Sequence, residues 1–380
     1  MHKRSRRKFL ELASAAPLAF WVLPLGVTAA ESAGTSASDQ YTDLSSLLTP
    51  VRDEHKLPAL AAAAMVNGKV MAAGAVGLRK ADTPQSVTLE DEFHIGSCTK
   101  AMTATIAGML VEKGKLHWKS TLAEIFPERV KTMNQSFRGV TLELLLTHRS
   151  GAPANSSDYG FPDEPMIQRR LEYMDSVIDH PPAWKPGARF LYSNAGYVIA
   201  GAMLERVTGT VWEDLMRERI FEPLGMASAG FGPPSQPNAV DQPWGHVWED
   251  DRFIPRYGDN PAPLGPAGTV HCAILDYLKF ADLHTSLGTR PPGLIKPETV
   301  RRLHRPPRGG NYAMGWVVVP RDWAKGLALT HAGSNTRNYF VVWLAPKIGL
   351  SLAVATNCSG ASVPQALDKV AAALVRRYAV

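Results

Sequence analysis

Apolar and polar positions along the chain predict an early and a late set of strands around a long helical middle. Leu44, Leu47, Leu48 and Val51 recur at helical spacing within Tyr41 to His55. Ala59 to Val66 and Lys69 to Val76 are apolar runs flanking Asn67-Gly68, a pair that signals a β-hairpin. Met102, Ile106, Met109 and Leu110 then mark a second helix. Leu116 to Met226 reads as helix or loop, with helices predicted over Thr141 to Leu146, Met166 to Ile178, Tyr197 to Val207 and Val211 to Phe221. Gly151 to Pro165 and His180 to Gly187 are rich in Gly, Pro, Asn and Ser, and suit loops bordering a cleft. Phe231 to Pro266, rich in proline, reads as a surface excursion, with Trp244 and Trp248 either packed aromatics that pin it or residues reaching a pocket. Asp276 to His284 is helical again. Ala313 to Val319, Ala328 to Leu329, Tyr339 to Leu344 and Leu350 to Thr356 are strand-like, and Pro364 to Tyr378 ends the pattern as a helix.

Composition fits this picture. The 380 residues are 45% hydrophobic and 20% charged, ordinary globular material with length for a large core. Chains of this size usually subdivide. The formal charge of +6 is misleading, because residues 1–30 hold five Lys or Arg and one acid. Residues 31–380 carry 36 basic against 34 acidic side chains, a net of +2, which leaves no footprint for nucleic acid or an anionic membrane. The first 30 residues have a basic start, an apolar stretch from Leu12 to Val27 and small residues at Thr28 to Ala30, the layout of a signal peptide. Ser5-Arg6-Arg7-Lys8-Phe9-Leu10 looks like a twin-arginine motif, so a periplasmic or secreted location is expected. The apolar stretch is 16 residues long and broken by Pro17 and Pro24. That falls short of the roughly 20 needed to span a bilayer, so cleavage is expected and no stable membrane anchor. Residues 31–40, rich in Ser, Ala and Thr, suit a flexible mature terminus.

Cys98, Cys272 and Cys358 cannot all pair and read as buried thiols. The eleven histidines show no His-x-x-x-His spacing, and neither Cys-x-x-Cys nor a glycine-rich nucleotide loop occurs, so neither metal nor cofactor is expected.

The candidate chemistry lies in Phe93 to Lys100, Phe-His-Ile-Gly-Ser-Cys-Thr-Lys. Residues three apart share a helix face, so Lys100 can lie beside the Ser97 hydroxyl. A serine is a weak nucleophile until a base takes its proton, and a lysine whose pKa is lowered by burial serves. The helix start adds unpaired N–H groups suited to an oxyanion. Cys98 lies about 100° round the helix and lacks the spacing to Lys100. Ser-x-x-Lys alone is a weak signal, since Ser5 to Lys8 also matches. Two later motifs strengthen it: Tyr192-Ser193-Asn194, the single Tyr-x-Asn of the chain, and His331-Ala332-Gly333-Ser334.

Ser-x-x-Lys, Tyr-x-Asn and His-x-Gly in this order resemble the serine β-lactamase and penicillin-binding-protein superfamily. Leu144 to Gly151 (Leu-Leu-Leu-Thr-His-Arg-Ser-Gly), Pro186-Gly187, Glu222 to Met226, Pro266 to Gly268 and Tyr312 to Trp316 are similar to markers of its branch of class C β-lactamases, D-alanyl-D-alanine carboxypeptidases, D-aminopeptidases and esterases. The resemblance covers roughly residues 41–380. It implies a two-lobed α/β fold: an antiparallel sheet flanked by helices over about 41–115 and 267–380, and a mainly helical lobe over about 116–266.

It also implies roles. Ser97 would carry the acyl group, Lys100 take its proton and Tyr192 shuttle that proton to the leaving group and later activate water. Asn194 would hold the substrate amide oxygen or orient Lys100, and the backbone N–H groups of Ser97 and Ser334 would form the oxyanion hole beside Gly333. His148 is expected to hydrogen-bond structurally. His331 stands where class C β-lactamases carry lysine. With an ordinary pKa near 6.5 it would be mostly neutral at pH 7 and gain charge towards pH 6. Relatives commonly have glycine at Asn338, which therefore suits a turn at positive φ. Arg337 is a candidate for a substrate carboxylate. The implied function is an exported serine hydrolase acting on a small ester, amide or peptide, with esterase or D-amino-acid peptidase ahead of a class C-like β-lactamase. The other class is a non-turnover penicillin-binding or peptidoglycan-binding sensor. Oligomeric state leaves no mark in the pattern.

Overall fold

Short apolar runs build the central sheet of the computed structural model, which describes residues 41–379. The expected signal peptide and the 31–40 stretch lie outside the described residues. Seven strands form the sheet: β1 (Thr42–Asp43), β2 (Ala59–Val66), β3 (Lys69–Gly77), β4 (Val317–Arg321), β5 (Gly326–Ser334), β6 (Tyr339–Ala345) and β7 (Leu350–Thr356). Their order is β1-β3-β2-β7-β6-β5-β4, so the early strands join the late ones through the antiparallel β2–β7 pair. β1 and β3 pair in parallel; the remaining neighbours are antiparallel. Asn67 and Gly68, at φ +50° and +81°, make the tight β2–β3 turn.

Both faces of this sheet are buried, which is why β2 and β7 read as continuous apolar runs. Leu60, Ala62, Ala64, Leu352 and Val354 face one core, with Leu48 and Val51 of helix α1 (Ser45–Glu54). Leu367, Val370 and Leu374 from the last labelled helix, α6 (Val363–Tyr378), fill the same core. Ala61, Ala63, Ala353, Ala355 and Val342 face the other core, with α2 (Thr99–Glu112) and α5 (Ile274–Thr285). Each fully buried Leu or Val stabilises its layer by about 1.5–3 kcal/mol.

Between the two groups of strands run α3 (Met166–Ile178), α4 (Asn194–Thr208) and several shorter helices. Arg170 of α3 is fully buried and ion-pairs with Glu205 of α4 and with Glu213. Removing one partner would leave a buried charge unpaired. The mixed α/β class and the joined sheet agree with expectation.

Two expectations differ. The strand expected over Ala313 to Val319 begins at Val317, because Gly315 turns at φ +82° against the backbone of Ala101. The Phe231 to Pro266 excursion contains a hairpin, Gly245–Glu249 with Arg252–Arg256. Trp244 pins its entry, donating to Ala239 O at 2.6 Å beneath the Lys80 ammonium. Among the described residues no helix is long and apolar enough to cross a membrane.

Candidate active site

Ser97 sits on a single helical turn, Gly96–Cys98, that leads straight into α2. It is the one partly exposed residue from Phe93 to Lys100. Two glycines let the end of β5 lie against this turn. A Cβ on Gly96 would stand 2.3 Å from Ser334 N, and one on Gly333 would stand 2.0 Å from Ile95 O and 2.7 Å from Ser97 N. No side chain fits in either place, so the Ser97 and Ser334 backbone nitrogens share one corner of the site.

Lys100, one turn into the helix, points its amine back at that corner. Its Nζ donates to Ser97 Oγ at 3.0 Å, Asn194 Oδ1 at 2.7 Å and Ala267 O at 2.7 Å. No carboxylate is among these partners, and burial pulls the Lys100 pKa down to about 7. Near neutral pH a substantial fraction is therefore the free amine.

The Tyr192 ring lies under that amine, 4.9 Å from its centroid. Burial pushes the Tyr192 phenol up, an effect its approach to the Ser97 side chain only moderates, so it stays protonated at neutral pH. The phenol does not complete a hydrogen bond of ordinary geometry to Ser97. Asn194 opens α4, capped by Ser193 Oγ, which accepts from Gly196 N at 2.8 Å. With Oδ1 on Lys100, Asn194 sends Nδ2 to Asn155 Oδ1 at 3.0 Å. His148 holds the Tyr-x-Asn segment from beneath: its Nδ1 accepts from Ser193 N at 3.1 Å and its carbonyl from Leu191 N at 2.8 Å.

His331 lies on β5, nearly buried, with Nδ1 2.7 Å from Ala332 O and Nε2 3.0 Å from Tyr312 Oη. That pattern puts the ring proton on Nδ1 and lets Tyr312 donate to Nε2. Burial first, then the charge of Lys100, lowers the His331 pKa to about 3. The expected gain of charge between pH 8 and 6 is therefore corrected: the imidazole stays neutral throughout. The reason is desolvation, which the ordinary value of 6.5 leaves out.

Beyond Ser334 the left-handed position is Thr336, at φ +70°, and not Asn338. Asn338 is buried instead, its backbone and side-chain nitrogens both donating to Asn335 Oδ1 at 3.0 Å. Arg337 is half-buried, makes long contacts to Asn335 O and Thr336 Oγ1, and leaves Nε without a partner among the described residues. Cys98 is fully buried, its thiol pushed up by that burial, so it offers no competing nucleophile. All three cysteines are free and buried.

The structure thus brings Ser97, Lys100, Tyr192 and Asn194 together, with His331, Gly333 and Ser334 along one wall. Several participants had no distinct signal in the sequence. Ala267 supplies a carbonyl, which its residue type does not advertise; it belongs to the Pro266 to Gly268 marker. Asn155 acts through a contact distant in sequence, and Tyr312, which opens the Tyr312 to Trp316 marker, meets His331 by a bond the marker does not announce. A cavity of about 730 Å³ lined by Met166, Phe231, Tyr257 and Asp259 contains none of the clustered residues, so the chemistry and not cavity size locates the site. Among the described residues no group of His, Cys, Asp and Glu is arranged to hold a metal ion. The cluster can supply a hydroxyl nucleophile, a neutral amine base, a phenol donor and two neighbouring backbone N–H groups.

Known proteins resemble this chain in sequence and in fold. Penicillin-binding protein 4 of Amycolatopsis lactamdurans is 27% identical over 322 residues, 81% of this chain and 82% of the relative. Lovastatin esterase of Penicillium rubens is 31% identical over 172 residues, 39% of this chain and 42% of the relative. The octameric penicillin-binding protein homologue from Pyrococcus abyssi superposes with a TM-score of 0.72 at 24% identity, covering 88% of this chain and 77% of that one, which shows a shared fold. The family model described as Beta-lactamase matches residues 44–377. The chain belongs to the β-lactamase family, the serine hydrolases that include the penicillin-binding proteins.

Proposed function

We propose that this protein hydrolyses a small ester or amide through an acyl-enzyme on Ser97. The observation that carries the reading is the Lys100 amine, 3.0 Å from Ser97 Oγ and drawn to about 7 by burial. Lys100 takes the Ser97 proton as Oγ attacks the carbonyl, and the N–H groups of Ser97 and Ser334 stabilise the oxyanion. Tyr192, protonated and beside Ser97, passes a proton to the leaving group. Water then enters along the same path, with the Lys100–Tyr192 pair accepting its proton. Asn194 holds the Lys100 amine on its target.

An uncharged carbonyl substrate is favoured because His331, standing where class C β-lactamases carry lysine, is neutral. A charge-assisted hydrogen bond to a carboxylate is worth about 1.5–3 kcal/mol, and the wall formed by β5 offers no such charge at His331. Arg337 supports a second reading, a D-amino-acid peptidase, since its guanidinium has no carboxylate partner among the described residues and would accept one from substrate. A short-ester, D-amino-acid-peptide and penicillin panel, read by steady-state turnover and intact mass, separates these. Repeated turnover of a neutral ester with little of penicillin supports the esterase; preference for carboxylate-bearing peptides, lost on Arg337→Ala, supports the peptidase. A single acylation without turnover of any substrate contradicts both and leaves a sensor.

Export belongs to the same proposal. The basic and apolar pattern of residues 1–30 is a twin-arginine signal, cleaved near Glu31, that carries the enzyme to the periplasm or medium. Replacing Arg6 and Arg7 by lysine is expected to strand the precursor inside; unimpaired export would contradict it.

A further inference from the structure

One wall of the oxyanion corner belongs to the Ser97 turn and the other to the end of β5, so side-chain contacts must hold the two at a fixed spacing. Asp259 lies where both can be reached, its side chain 4% exposed. Its Oδ1 is 2.8 Å from Nε2 of His94, which is fully buried. On the other side of that ring, Nδ1 accepts from Gly96 N at 3.1 Å, so the ring proton sits on Nε2, close beside the carboxylate but without the alignment of a completed hydrogen bond. The carboxylate therefore reaches the backbone of the Ser97 turn through one imidazole.

The same oxygen accepts from Asn335 Nδ2 at 2.8 Å. Asn335 Oδ1 in turn accepts from the backbone nitrogens of Arg337 at 3.2 Å and Asn338 at 3.0 Å, fixing the turn that follows Ser334. The next residue along, Asn260, donates from Nδ2 to Gly268 O at 2.7 Å. Gly268 packs on the Ser97 turn, where an added Cβ would stand 3.3 Å from Gly96 C, and its neighbour Ala267 provides the carbonyl that holds Lys100. Asp259 and Asn260 thus reach three backbone segments that meet at Ser97. The Ser97 and Gly268 segments are also joined by strand pairing, His94 opposite His271 with Ile95 N donating to Val270 O at 3.0 Å, whereas the turn after Ser334 lies outside that pairing.

We propose that Asp259 is a positioning residue, which clamps the Ser97 turn through His94 and the Ser334 turn through Asn335 and so sets the spacing of the two oxyanion N–H groups. Asp259 acts without touching substrate. Its carboxylate is suited to this because one oxygen can accept from the Asn335 amide while lying against the His94 imidazole, where a neutral apolar residue would leave the amide donor buried and unpaired and remove the charge beside the ring. The inference rests on the reading of Ser97 as nucleophile.

The test compares a neutral ester with its thiono analogue, in which the carbonyl oxygen is sulfur. Donors spaced for an oxyanion favour the oxygen substrate, so a displaced donor lowers the oxo rate more than the thiono rate. In Asp259→Ala, kcat for the oxo ester is expected to fall roughly tenfold to hundredfold, less than or similar to deletion of one donor, with KM little changed and the oxo-to-thiono ratio reduced. Asp259→Asn keeps an acceptor oxygen in place and is expected to restore most of the ratio. Asn335→Ala breaks the second arm and gives the same reading should Asp259→Ala fail to fold. A ratio equal to that of the unsubstituted enzyme in the folded variants overturns the clamp. Ser97→Ala separates the two levels: retained hydrolysis there contradicts the nucleophile itself, whereas its loss together with unchanged ratios at Asp259 and Asn335 contradicts only the clamp.

Discussion

Lys100 and His331 share one buried corner, and burial acts on both in the same direction, disfavouring the charged form. The consequences differ because the starting values differ. Lys100 falls to about 7, into the working range, and His331 falls to about 3, out of it. The base must be neutral to take the Ser97 proton, so kcat/KM for a neutral ester is expected to rise about tenfold per unit as pH climbs towards 7 and to level off above it. A profile that is flat from pH 5 to 8 would contradict Lys100 as the base. His331 adds no inflection between pH 6 and 8, so the ratio of penicillin acylation to ester hydrolysis is expected to hold constant there. Improvement of that ratio on acidification would show that the imidazole titrates after all. Tyr192→Phe removes one oxygen and little packing area; turnover is expected to drop at least roughly a hundredfold while the melting temperature stays near that of the unsubstituted protein. Near-normal turnover would leave Tyr192 as packing alone.

Helices and strands carry these residues, and their legibility in the sequence followed how locally each was specified. Met166–Ile178 and Leu350–Thr356 match the pattern to the residue, since one has a clear apolar stripe and the other is a strand buried on both faces. The hairpin at 245–256 was missed because its strands are five residues each and one contains Pro255, which argues against a strand unless it lies at an edge. Asn338 was assigned a left-handed turn that Thr336 in fact occupies, because side-chain bonds to Asn335 and not glycine-like freedom shape that loop. The approach of β5 to the start of α2 depends on absent side chains at Gly96 and Gly333, and absence has no periodicity. Gly333→Ala is expected to cost about 1–3 kcal/mol of stability and to lower acylation sharply, because its Cβ would overlap Ile95 O. Gly139→Ala is the control, at φ −91° with nothing within 4 Å of the added carbon. Equal behaviour of the two variants, by chemical denaturation and ester turnover, would mean that the strand and helix tolerate separation.

Across the whole molecule, the late strands bring residues hundreds of positions apart against the start of one helix, α2. Ser97 and Lys100 were readable because they lie three residues apart on that helix, and Tyr192 and Asn194 because a short motif holds them. The arms running from Asp259 to His94 and Asn335 were not, since each joins segments whose separation in sequence says nothing of their distance in space. His94 carries no role in the sequence reading, yet it supports the turn that bears Ser97. The proposed mechanism depends on one bond, that between an acyl group and Ser97 Oγ. Peptide mapping by mass spectrometry after treatment with a fluorophosphonate measures it directly. The adduct is expected on the peptide containing Ser97, at one per chain, and to disappear in Ser97→Ala; an adduct on Cys98 or Ser334, or one that persists in Ser97→Ala, would contradict the mechanism.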